Sequence, residues 1–201
     1  MTAGRIFIVD DNAHNLTLLT SLLREAGHDV RMANSGRRAL AAVALHPPEL
    51  ILLDITMPDM DGYAVCAALK EDERTRDIPV IFLSALDDVH DKVSAFRAGG
   101  VDYVTKPFQA PEVLARVEAQ LELARARALL AEKNAELARK NDELERAWLA
   151  ADDLFSTLTD LLPGTTIADR YRLEAKIGAG GFAAVYRSVS LSDGREVAVK
   201  I

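Results

Sequence analysis

Between residues 5 and 122 the sequence repeats one pattern five times: a short apolar run, then a stretch with apolar residues at helical spacing. The runs are "RIFIVDD" (5–11), "DVRMA" (29–33), "LILLD" (50–54), "PVIFLSA" (79–85) and "DYVTKPF" (102–108). Helical spacing covers 15–27, 35–45, 62–72 and 88–99, and a further helix starts near Pro111. "LILL" has no polar partner on either face, the mark of a strand buried on both sides. Strands alternating with helices imply a parallel sheet covered on both faces. Such a sheet gathers its reactive groups at the carboxyl ends of its strands.

That rule places the acids. Asp10 and Asp11 end the first run, Asp54 the third and Ser84 the fourth, and Lys106-Pro107 follow the fifth. All are predicted to converge on one rim. A carboxylate buried there costs several kcal/mol unless it is paired or neutralised. A few carboxylates at one rim suit Mg2+, which keeps waters and phosphate oxygens in its shell. Strand-end acids also cap following helices. The matching placement of Ser84 and Lys106 favours a site.

The set "VDDN" (9–12), "LLDITMPDMDG" (52–62), "FLSA" (82–85) and "DYVTKPF" (102–108) resembles the receiver domain of two-component response regulators, over residues 4–122. The resemblance implies a flavodoxin-like doubly wound sheet of five parallel strands in the order 2-1-3-4-5. It implies that Asp54 is a nucleophile that accepts a phosphoryl group from a histidine kinase or phosphotransfer protein. Asp11 would be the main carboxylate on Mg2+, Asp10 would hold a metal-bound water, and the carbonyl of Thr56 would complete the protein ligands. Lys106 and Ser84 would bind phosphoryl oxygens, and Tyr103 would then swing inward as a switch. Lys106-Pro107 is the family's cis-peptide position. A flavin-binding flavodoxin needs a Ser-, Thr- and Gly-rich phosphate loop where this chain has "DDNAHN". A haloacid-dehalogenase-type phosphatase wants a second acid at Thr56, and neither alternative uses Lys106. His14, His28, His46 and His90 show no metal-ligand spacing, and Tyr63 and Cys66 read as packing residues.

Residues 112–162 have a different character, rich in Ala, Leu, Glu, Lys and Arg. Leu123, Leu130, Leu137 and Leu144 recur every seven residues, and the frame continues through Ala151 and Leu158. With these at d, Gln120, Arg127, Asn134, Asn141, Trp148, Phe155 and Leu162 fall at a. A heptad this long predicts a coiled coil continuing out of the last receiver helix. A solvated single helix and an antiparallel hairpin are the alternatives. An a-position Asn is satisfied by its twin in a parallel pair, so Asn134 and Asn141 favour a parallel homodimer.

Pro163-Gly164 break the helix and open a linker over 163–170. Residues 171–201 then read as three antiparallel strands, with "SDG" (192–194) at a hairpin turn. "IGAGGFAAVY" (177–186) followed by "VAVK" (197–200) resembles the start of a bacterial serine/threonine protein kinase domain. The resemblance implies that Gly178, Gly180 and Gly181 approach ATP phosphates, that Val185 packs on adenine and that Lys200 holds phosphates. Ala183 stands where that family usually has its third glycine. Helix C and the catalytic loop would have to come from sequence beyond Lys200, so ATP is expected only in a complete kinase domain. This stretch is expected to be a truncated N-lobe start and not itself an enzyme, with kinase activity residing in a longer parent.

Net charge is −7, from 24 Lys and Arg against 31 Asp and Glu, which argues against a nucleic-acid surface. With one cysteine, no intrachain disulfide forms, and no apolar run reaches membrane-spanning length. The expected location is the cytoplasm, without nucleic-acid or membrane partners. The leading expectation is a dimeric phosphoacceptor receiver, tethered by a coiled coil to the kinase segment it controls. The alternatives are a stand-alone receiver with a coiled-coil docking arm, and a kinase to which the receiver is incidental.

Overall fold

A five-stranded parallel sheet in the order β2-β1-β3-β4-β5 forms the first part of the computed structural model, which describes residues 3–85, 89–181 and 183–201. Asp88, where the fourth helix was expected to begin, the side chain of His90, and Phe182 of the Gly-rich run lie outside the described residues. The chain divides into two units, Met1–Ala131 and Glu132–Ile201.

In the first unit the order is β1 (Arg5–Val9), α1 (Ala13–Glu25), β2 (Asp29–Ala33), α2 (Gly36–Leu45), β3 (Leu50–Asp54), α3 (Gly62–Glu71), β4 (Val80–Ser84), α4 (Val89–Arg97), β5 (Asp102–Thr105) and the start of α5 (Ala110–Asp160). β1 is shorter than its sequence run, because Asn12 already caps α1 by accepting from the His14 and Asn15 amides. β3 and β4 are buried along their whole length, as their apolar runs require. Their residues alternate between two cores. Leu50, Leu52, Ile81 and Leu83 pack with Leu19 and Leu23 of α1 and Val113, Val117 and Leu121 of α5. Ile51, Leu53, Val80 and Phe82 pack with Val43 of α2, Val65, Cys66 and Leu69 of α3 and Ala95 of α4. With both faces covered, the strand ends are where polar chemistry has room.

The second unit holds the rest of α5 and an antiparallel sheet in the order β6-β7-β8-β9: β6 (Thr166–Ile167), β7 (Tyr171–Gly180), β8 (Ala183–Ser190) and β9 (Glu196–Lys200). Three strands were expected. The fourth, β6, lies within the residues read as linker. Gly164, at φ +90°, reverses the chain there, its amide donates to the Leu173 carbonyl at 2.7 Å, and the Leu173 amide donates to Thr165 at 2.9 Å. One face of this sheet is not bare. Leu173, Ala184 and Tyr186 are buried against Phe155 and Leu162 of α5, with Ile167 and Val199 beside them. The Tyr186 hydroxyl donates to the Thr159 carbonyl at 2.7 Å. Lys176 Nζ reaches Thr159 Oγ1 at 2.9 Å and Asp160 Oδ1 at 2.8 Å. Phe155 and Leu162, expected as a positions facing a second helix, thus face this chain's own sheet. Leu130, Leu137 and Leu144, at d, are 62%, 59% and 68% exposed. No helix of the described residues is long and apolar enough to cross a membrane.

Candidate functional site

The strand order brings the carboxyl ends of β1, β3, β4 and β5 side by side, and with them the residues singled out in the sequence. Carboxylate oxygens of Asp10, Asp11 and Asp54 lie within 4.8 Å of one another. Asp10 is fully buried and Asp54 is 4% exposed, while Asp11 faces solvent. Lys106 Nζ bridges the buried pair, at 3.0 Å from Asp10 Oδ2 and 2.8 Å from Asp54 Oδ1. Asp10 also accepts from the Asn12 amide at 2.8 Å and from Asn15 Nδ2 at 2.9 Å. The backbone amide of exposed Thr56 donates to Asp54. Ser84 is buried at the end of β4, and its carbonyl accepts from the Lys106 amide at 2.7 Å. The Lys106–Pro107 peptide is cis, as expected.

Burial pushes the Asp54 carboxyl above its ordinary value, and the negative charge of Asp10 adds to this; the hydrogen bond and charge of Lys106 oppose it without winning. Burial pulls Lys106 down, but its hydrogen bonds to Asp54 and Asp10 outweigh that and its pKa is raised. The site therefore packs acid against acid with one ammonium between them. An all-oxygen donor set with excess negative charge fits a small hard divalent cation such as Mg2+. It also fits an incoming phosphoryl group, provided added positive charge offsets it.

Tyr103, on β5, is half-buried. Its ring meets Phe96 of α4 edge-on at 6.4 Å between centroids, and the Arg116 guanidinium lies 5.4 Å from its centroid. Arg116 in turn pairs with Asp102 at 2.6 Å and Glu112 at 3.0 Å. Tyr103 thus sits on the α4–β5–α5 side, with β4 between its strand and that of Asp54.

Three residues at the site were not anticipated. Asn15 holds Asp10 from the first turn of α1. Asp59 accepts from the Gly36 and Arg37 amides at 3.4 and 3.3 Å, so it helps cap α2 from the loop after β3. Gly62 begins α3 with its amide on the Ile55 carbonyl at 2.9 Å, and a Cβ there would collide with the Asp54 carbonyl oxygen. Asp61 caps α3 by accepting from Ala64 at 2.7 Å. Of the acids in "PDMDG", both serve helix ends. The "DG" before an apolar helical run is a legible cap signal, whereas only the fold shows where Asn15 and Asp59 reach.

In the second unit, Gly180 closes β7, Gly181 turns at φ +58°, and Gly178 pairs with Val185, which pairs on its other side with Lys200. Val185 is half-buried and Lys200 exposed.

Known proteins resemble the first unit. The DNA-binding dual master transcriptional regulator RpaA of Synechocystis is 45% identical over 117 residues, 58% of this chain and 48% of that protein. The response regulator PleD of Caulobacter vibrioides is 41% identical over 117 residues, 58% of this chain and 26% of that protein. The signal receiver domain of a signal transduction histidine kinase from Syntrophus aciditrophicus superposes with a TM-score of 0.56 at 38% identity, covering 60% of this chain and 91% of that one. The matched part is about half or less of each curated relative. The response regulator receiver domain family matches residues 6–118, and with the sheet order and the acidic rim this chain belongs to that family.

Proposed function

We propose that Asp54 is the phosphoacceptor of a receiver in two-component signalling. The observation that carries this is Asp54 Oδ1 held 2.8 Å from Lys106 Nζ at the end of a buried strand, beside Asp10 and Asp11. A carboxylate oxygen of Asp54 attacks the phosphorus of a histidine kinase's phosphohistidine; the P–O bond forms, the P–N bond breaks, and the imidazole leaves. Mg2+ bound by Asp10, Asp11, Asp54 and the Thr56 carbonyl would supply charge neutralisation for the transferring group. Lys106 binds one phosphoryl oxygen and leaves Asp10 to do so. Ser84 hydrogen-bonds another, and Tyr103 follows it inward. Incubation with acetyl phosphate and Mg2+ is the test: one phosphoryl mass is expected on the intact chain and none on Asp54→Ala. Labelling that survives in Asp54→Ala would overturn the assignment.

The output reading is finer. The exposed leucines at d and the two a-position asparagines support a parallel dimer through α5. The Gly181 turn and the Val185–Lys200 pairing support a kinase N-lobe start over 171–201, with ATP held only by a complete kinase domain. Phosphorylation of the first unit would then bias a kinase output through α5. An in-frame continuation beyond Lys200 encoding a catalytic-loop Asp and a "DFG" is expected in the parent gene, and its absence would refute the kinase output.

A further inference from the structure

The heptad frame of α5 places Phe155 and Leu162 at a, Leu158 at d, Thr159 at e, and Leu154 and Leu161 at g. In the second unit the antiparallel sheet has taken one side of these turns. Phe155 and Leu162 pack on Leu173, Ala184 and Tyr186. Thr159 is only 4% exposed, with its carbonyl taken by the Tyr186 hydroxyl and its own hydroxyl by Lys176. The opposite side stays open: Leu154, Leu158 and Leu161 are 59%, 54% and 73% exposed. The sheet therefore covers the a and e positions and leaves d and g. A two-stranded coiled coil needs both, because each a and d side chain fills a hole between four residues of the facing helix. Sheet and second helix cannot hold Phe155 and Leu162 together.

We propose that the sheet β6–β9 sets the length of the zipper between two copies of this chain. Docked, it confines pairing to residues 120–151. Released, it gives Phe155 and Leu162 to the second copy, and the zipper continues to residue 162. This rests on the parallel-dimer reading. Because the two arrangements share one apolar face, they are alternative states of a single element. Anything that tightens pairing at the end of α5 loosens the sheet, and anything that holds the sheet shortens the zipper, by the same factor in each direction.

Single cysteines at two d positions of the full-length chain test this. Leu144→Cys reports the confined zipper and Leu158→Cys the extended one, and facing d residues lie close enough for a disulfide in a parallel pair. The native Cys66 is buried in the first unit. Copper-phenanthroline in air removes two electrons and two protons from each thiol pair. Leu144→Cys is expected to cross-link at least ten times faster than Leu158→Cys. Adding Tyr186→Ala, which deletes the largest side chain of the cluster that Phe155 packs against and the bond to Thr159, should bring Leu158→Cys up to the Leu144→Cys rate. Lys176→Met, which removes only the bonds to Thr159 and Asp160, should give an intermediate rate. Equal rates at the two positions in the unaltered background, or no acceleration in either variant, would overturn the proposal. No cross-link at Leu144→Cys would refute the dimer itself and this inference with it, whereas a cross-link there with an unresponsive Leu158→Cys refutes this inference alone.

Discussion

Gly62→Ala sets two opposing effects against each other at the edge of the acidic site. Alanine is the better helix former by up to about 1 kcal/mol in a helix interior, and less in a first turn such as that of α3. Against this, the added methyl would strike the Asp54 carbonyl oxygen and lie 2.9 Å from Ile55 Cα and 3.0 Å from the Asp54 carbonyl carbon. All three are backbone atoms at or just past the end of a fully buried strand, so none can step aside as a side chain would. Overpacking of this kind costs about 1–3 kcal/mol. The clash outweighs the propensity gain, and a net loss of about 1–2 kcal/mol is expected, or roughly 4–8 °C in the melting temperature of the first unit. Displacing the Asp54 backbone also lengthens its 2.8 Å contact with Lys106, so labelling by acetyl phosphate should slow. Circular dichroism melts and mass spectrometry of the labelled chain are the assays. Gly178→Ala, where no atom lies within 4 Å of the added Cβ, is the control and should leave both readings of the first unit unchanged. A Gly62→Ala chain that melts at or above the wild type and labels at the wild-type rate would refute the reasoning.

Asp54 binds its proton more tightly in the folded chain than in the unfolded one, because burial and Asp10 raise its pKa from 3.8. The stability linked to it is complete below 3.8 and is lost as pH rises through the folded value, so Asp54→Asn should raise the melting temperature at pH 7 and leave it unchanged near pH 3; an equal gain at both would count against the raised pKa. Mg2+ at ten times its Kd should stabilise the first unit by about 1.4 kcal/mol, and a calorimetric scan of Asp11→Ala showing the same gain would exclude Asp11 as a ligand. Glu49 has the opposite sign: burial raises its carboxyl, but hydrogen bonds from the Arg5 amide and Arg125 outweigh this and lower it from 4.5. Its contribution is present above 4.5 and fades as pH falls through the folded value, so Glu49→Gln should cost about 0.5–1 kcal/mol at pH 7 and converge with the wild type in acid; a gap independent of pH would refute the pairing with Arg125. Replacing Asn134 and Asn141 with Ile should tighten the assembly and broaden its oligomer distribution, and a wild-type chain that sediments as a monomer at micromolar concentration would remove the coiled coil.

The receiver fold was legible because its signals are local. "LILLD" and "VIFLS" are apolar without interruption, and they became the two strands buried on both faces. The acids at strand ends could be placed on one rim, since all strands of a parallel sheet point the same way. What the sequence could not supply is reach. Lys106 lies 96 residues from Asp10 in sequence, and their 3.0 Å contact exists because β5 and β1 belong to the same parallel sheet, with their carboxyl ends on one rim. Asp59 stands five residues past Asp54 in "LLDITMPDMDG", and only the path of the loop after β3 shows that it reaches the amides of α2. The C-terminal part shows the same division more sharply. The heptad repeat determined that α5 is one long helix with an apolar stripe, and α5 does run unbroken over Ala110–Asp160. A periodic stripe states that a face seeks cover but carries no information about what covers it. At Phe155 and Leu162 the tertiary structure decided, because the chain reverses at Gly164 and returns Leu173, Ala184 and Tyr186 to that face.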